Sequence, residues 1–144
     1  MCMLLTSCVN SSFVANIGDK GKFTMHCSAH ICNWEMDFTS TEDITMAHLH
    51  CGINTGPVGV PLFHGALQYK GKFSPGDFTQ DCWRLPIVEG DQEDRFNLFF
   101  ADIKKGKVFV MLHSKQHPGG YIQGVIKEQF LSRMLSIPSR YFSN

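Results

Sequence analysis

The chain has 144 residues and a mass of 16.2 kDa, room for one domain with a self-sufficient core and none for a catalytic domain beside a separate binding domain. Its 13 basic and 13 acidic residues cancel, which removes the field that general nucleic-acid or anionic-membrane binding needs. Apolar residues at 43% and charged residues at 18% describe a globular chain, and no apolar run approaches the ~20 residues of a membrane-spanning helix.

The opening stretch Met1 to Cys8 is too short and lacks the cationic start of a signal peptide. A glycosylation sequon follows at Asn10-Ser11-Ser12. From there the punctuation is that of an all-β protein, with Gly and Pro at short intervals and runs between them in which Phe, Val, Ile or Thr alternate with polar residues. The pattern predicts strands at 12–17, 21–27, 31–38, 44–50, 58–64, 66–73, 94–101, 107–113 and 121–127, with turns at Gly18-Asp19-Lys20-Gly21 and Lys104-Lys105-Gly106. Strands so spaced, with no amphipathic segments of helical length between them, predict an antiparallel β-sandwich or flattened Greek-key barrel. The acidic stretch Glu89 to Asp94 reads as a solvated loop without the spaced oxygen ligands of a calcium site. Between Lys127 and Leu135 the residues Phe130, Leu131, Met134 and Leu135 recur at helical spacing until Pro138, which predicts a short C-terminal helix. The organisation expected is an N-terminal segment with the first strand (1–19), a central domain (20–127) and a helical extension (128–144), whose Phe130 to Phe142 stretch is the candidate contact with a protein partner or a second copy.

Six cysteines form an even set, which favours an oxidising compartment. Cys27 and Cys32 flank a four-residue turn and are expected to pair across a hairpin. Cys51, directly after a histidine strand, is expected to pair with Cys82.

The chemistry concentrates in histidines. In Ile44-Thr-Met-Ala-His-Leu-His50, His48 and His50 stand two apart on a strand, so their side chains leave the same face. His113 closes the strand 107–113 and His64 closes 58–64. If neighbouring strands bring these ends beside the pair, the imidazoles converge at the ~2.0–2.1 Å that a Zn or Cu ion accepts, whereas Mg and Ca prefer oxygen. The bland alternative is a set of polar residues hydrogen-bonded on a wet sheet face.

Three separated motifs carry a resemblance. Ala47-His-Leu-His-Cys-Gly52, Asn54-Thr-Gly-Pro-Val-Gly-Val-Pro-Leu-Phe63 and Gly106-Lys-Val-Phe-Val-Met-Leu-His-Ser-Lys-Gln-His-Pro-Gly-Gly-Tyr-Ile-Gln-Gly124 are similar, in order and spacing, to the CHRD domain, the module named after chordin. The likeness runs from about residue 20 to 127. Its N-terminal EVPPV-like segment is not visible in this chain, and Tyr121 and Gln123 stand where the family usually has Glu and Arg. His48, His50, His113 and the turn Pro118-Gly119-Gly120 correspond to family positions, while His64 and His117 only lie beside them. The resemblance implies an extracellular or periplasmic β-sandwich of immunoglobulin-like or superoxide-dismutase-like build and no settled reaction. The histidine pattern is also similar to the copper ligands of copper/zinc superoxide dismutases.

The expectation is thus a secreted binding module holding Cu or Zn on His48, His50 and His113, with His64 or His117 as fourth ligand. The competing classes are a metal-free structural or assembly module and a small copper redox enzyme of superoxide-dismutase type. No catalytic constellation of another kind is visible.

Overall fold

The computed structural model describes residues 11–19, 21–52, 56–83 and 92–129. Among the described residues the regular structure is nine strands, one α-helix and a single 3-10 turn at Pro75–Asp77: β1 (Ser11–Ile17), β2 (Gly21–Cys27), β3 (Cys32–Asp37), β4 (Ile44–Cys51), β5 (Val58–His64), β6 (Lys70–Phe73), α1 (Gln92–Lys104), β7 (Val108–Ser114), β8 (Ile122–Val125) and β9 (Lys127–Glu128). All pairings are antiparallel. One sheet has the order β6-β3-β2-β1-β9 and the other β5-β4-β7-β8, so the expected β-sandwich is what the chain forms.

The first sheet follows its sequence pattern closely. In β3 the odd side, Asn33, Glu35 and Asp37, faces solvent while Cys32, Trp34 and Met36 are buried. In β2, Phe23 and Met25 turn inward between exposed Lys22 and His26. Against these side chains the second sheet sets Ala47, Leu49, Val60, Val108, Val110 and Leu112, all fully buried. Trp34 bridges the layers, with its ring 6.2 Å from Phe23 and 6.4 Å from Phe63.

The sheets are joined at one side by the chain itself. After β8 the buried Ile126 turns the backbone, and β9 pairs with β1 in the opposite sheet. Gly124 makes this crossing feasible, because a Cβ there would collide with the Asn16 carbonyl.

Four expectations change. Residues 94–101 were expected as a strand from the alternation of Phe96, Leu98 and Phe100; they lie in α1, which buries Phe96, Phe99 and Ile103 at helical spacing and leaves Leu98 exposed. The first turn of α1 also takes Gln92 to Asp94, the end of the acidic stretch read as a loop. The helix expected from Lys127 begins instead with β9, and its remainder beyond residue 129 lies outside the described residues. Within the expected strand 66–73 only Lys70–Phe73 pairs.

The helix caps one end of the sandwich through an aromatic cluster of Phe73, Phe78, Trp83, Phe96 and Phe99, with centroids 4.7 Å apart for Trp83 and Phe99. Trp83 Nε1 donates to Asp102 (3.1 Å), and Arg95 donates to the carbonyls of Trp83 and Thr79 (3.0 Å each). Both expected disulfides are present. Cys27–Cys32 ties β2 to β3, and Cys51–Cys82 ties the end of β4 to the segment beneath α1.

Candidate metal centre

The two central strands of the second sheet, β4 and β7, bury side chains on both faces. Ala47 and Leu49 of β4 point into the core, so Met46, His48 and His50 leave the opposite face. On β7, Val108, Val110 and Leu112 point inward and Phe109, Met111 and His113 outward. The register aligns these residues in rows: His64, Met46 and His113; then Pro61, His48 and Met111; then Val58, His50 and Phe109. Although they stand on the outer face, His48, His50 and His113 are only 6–7% exposed.

One nitrogen from each of these three rings lies within 4.8 Å of the others. Ring centroids are 5.0 Å apart for His48 and His113, 5.7 Å for His48 and His50, and 6.2 Å for His50 and His113. His64 joins from the side. Its Nε2 lies 3.1 Å from His48 Nε2, while His48 Nδ1 lies 3.2 Å from His113 Nε2, so His48 has an imidazole against each of its nitrogens. His64 is itself exposed and stands outside the group of three. His117 is not part of the cluster, because its Nδ1 is held 2.7 Å from Glu42 and its ring stacks on Tyr121.

Two backbone carbonyls fix which nitrogen faces the centre. His50 Nδ1 donates to Gly56 O and His113 Nδ1 to Pro118 O, both at 2.9 Å. Each donation places the proton on Nδ1 and leaves Nε2 with a bare lone pair. Such outer partners are what orient histidine ligands at metals. For His113 the lone pair faces His48. For His50 it faces nothing: its Nε2 is buried and has no hydrogen-bond partner. An orphaned buried acceptor costs about 1–3 kcal/mol, and a cation is the partner this lone pair suits.

The carbonyls are themselves held. The Gly56 loop is pinned by Cys51 N donating to Pro57 O (3.1 Å), and Gly56 sits so close to the chain that a Cβ would collide with the Cys51 carbonyl. The Pro118 turn is pinned by Glu42, whose carboxylate accepts from Ser114 Oγ (2.6 Å) and His117 Nδ1 (2.7 Å), while Ser114 Oγ accepts from His117 N (2.8 Å). The Ser114 hydroxyl, followed by His117, holds the Glu42 carboxyl below the usual carboxylate range.

Burial, reinforced by the neighbouring His113, His64 and His50, pushes His48 down to about 4. Burial also lowers His50, with His113 adding to it and the Gly56 bond opposing it. Both rings are therefore neutral at physiological pH, the ligating form of imidazole. The residues present fit a transition metal: three imidazole nitrogens, two of the rings with outer partners, and no carboxylate among them to favour Mg or Ca.

Glu42, Ser114, Gly56 and the Pro118 carbonyl were not among the residues singled out from sequence, apart from the Pro118-Gly119-Gly120 turn. Two of these contributions are main-chain carbonyls, which no residue type announces. Residues 9–126 match the family model of the CHRD domain, and the chain belongs to that family. No curated protein and no solved structure matches it.

Proposed function

We propose that this CHRD-family chain is an extracellular binding module that holds a Cu or Zn ion on His48, His50 and His113. The family membership supports the module, and the two disulfides support an oxidising compartment. No helix among the described residues is long and apolar enough to cross a membrane. The observation that carries the metal reading is the lone pair of His50 Nε2, buried beside two other imidazoles and left without a partner.

In this reading His50 and His113 ligate through Nε2, because their Nδ1 protons are engaged by carbonyls. His48 offers Nδ1, the nitrogen turned to His113, and its Nε2–H donates to His64. His64 then acts as the acceptor that fixes the His48 tautomer rather than as a fourth ligand. A bound ion would supply a Lewis-acidic centre with a further coordination position for a partner side chain or small anion.

A metal-free module is the second reading, favoured by the His113–His48–His64 chain of contacts at 3.2 and 3.1 Å, which protons alone can satisfy. Elemental analysis of protein stripped with chelator, reloaded with Zn(II) or Cu(II) and dialysed at neutral pH separates the two. We expect about one ion per chain in the wild type and most of it lost in His113→Ala, with the unfolding transition of the metal-free protein little changed. Wild-type protein that retains neither ion sinks the metal reading. Turnover of superoxide by the copper-loaded protein would move it to the redox class.

A further inference from the structure

The row between His64 and His113 has Met46 at its centre. Met46 pairs across the sheet with His64 of β5 on one side and with His113 of β7 on the other, so the three side chains share one face. Opposed positions in an antiparallel pair bring Cβ atoms to within about 4.5–5.5 Å, close enough for a long side chain to meet its neighbour. His48, two residues along the strand, is on the same face. Met46 also has no place in the core: it is partly exposed and absent from the buried cluster that takes Ala47 and Leu49. The other thioether of this face is engaged differently, since Met111 Sδ lies 2.9 Å from where a Cβ of Gly120 would stand, packed under the turn that covers the site.

We propose that Met46 supplies a thioether ligand that makes the histidine site a site for Cu(I). The inference rests on the metal reading above and sharpens it to one ion. Three imidazoles do not by themselves choose between zinc and copper. Thioether sulfur is soft; it favours monovalent copper and adds little for Zn(II). Methionine is also flexible enough to reach an ion from the neighbouring row without displacing the imidazoles. No redox step is involved, only the capture of the reduced ion.

Anaerobic titration with the acetonitrile complex of Cu(I), in competition with bicinchoninate, tests it, beside Zn(II) titrated against a chromophoric chelator. In the wild type one Cu(I) binds per chain, and X-ray absorption shows sulfur in its first shell. Met46→Leu, which keeps volume and apolarity, is expected to weaken Cu(I) by at least about tenfold. Zn(II) affinity should then stay within about threefold, and the sulfur signal should vanish. Met111→Leu should leave Cu(I) binding within about threefold. The proposal is overturned if Met46→Leu leaves Cu(I) unchanged, if it weakens both ions alike, or if Met111→Leu gives the loss instead. Wild-type protein that takes Zn(II) or Cu(II) through His113 and refuses Cu(I) overturns this proposal and leaves the metal reading standing. Protein that binds no ion overturns both.

Discussion

The two sheets answer the same physical problem differently. The β6-β3-β2-β1-β9 sheet buries one face and wets the other, with Lys22, His26, Asn33, Glu35 and Asp37 pointing outward. In the β5-β4-β7-β8 sheet the central strands β4 and β7 bury side chains on both faces, and the outer of these faces sets three imidazoles beside Phe109 and the partly exposed Met46 and Met111. Covering polar groups from water costs stability unless they find partners. Both sheets thus build the core between them, and the second carries in addition a local cost at His50 Nε2 that a cation would offset.

The largest effect that separates them is in the core. Trp34→Ala should cost about 3–5 kcal/mol in urea unfolding, because a fully buried indole between the layers leaves a cavity. His50→Ala on the metal-free protein should cost distinctly less, since it also removes an unpartnered nitrogen. Equal costs would show that the second face is ordinary core.

The disulfides should divide in the same way. Replacing Cys51 and Cys82 by Ala, which opens a link of sequence separation 31, should cost about 3.5 kcal/mol on the chain-entropy estimate; replacing Cys27 and Cys32, at separation 5, about 2 kcal/mol. The first pair should in addition weaken metal binding, because it braces the strand end beside His50. Thermal unfolding and zinc titration of the two double variants decide the point.

Acid should act on the second sheet first. His48 is held near 4 in the fold against 6.5 for the free side chain, so between those values the unfolded chain binds more protons than the native one. Stability of the chelated protein should therefore be unaffected by this group above pH 6.5 and fall by of order 2 kcal/mol as pH drops toward 4. His48→Gln should flatten that fall in urea midpoints measured across the window. The smallest effect expected is at Glu42→Gln, which weakens the grip on the Pro118 turn: about a tenfold loss of Zn(II) affinity with little change in the midpoint of the metal-free protein.

Legibility follows the same division. Strands with one wet face declare themselves by alternation, and β1, β2 and β3 stand within a residue of where the pattern puts them. The His48 and His50 pair was equally legible, because two residues apart on a strand can only mean one face. Helix α1 was not. Phe96, Leu98 and Phe100 satisfy a period of two while Phe96, Phe99, Phe100 and Ile103 satisfy a period of 3.6, and the β preference of aromatic residues favours the first pattern although packing selects the second. The convergence of His113 with the pair depended on β4 and β7 being neighbours, a matter of strand order that alternation does not encode. His117, directly before the Pro118-Gly119-Gly120 turn and indistinguishable by type from a ligand, is instead claimed by a carboxylate 75 positions earlier in the chain.

Strand order also sets a timetable. His48, His50 and His64 belong to the adjacent pair β4 and β5, whereas His113 arrives only with β7, which must dock against β4 from beyond β6 and α1. During synthesis the hairpin of β4 and β5 can therefore form well before the third nitrogen of the cluster leaves the ribosome. An ion that meets this partial chain would find His48 and His50 without the third imidazole and without the Pro118 turn, and would exchange freely. Tight retention would begin only when β7 closes the sheet and the Pro118 turn folds over it, so metal loading, in the proposed reading, would be coupled to a late long-range step of folding rather than to the first.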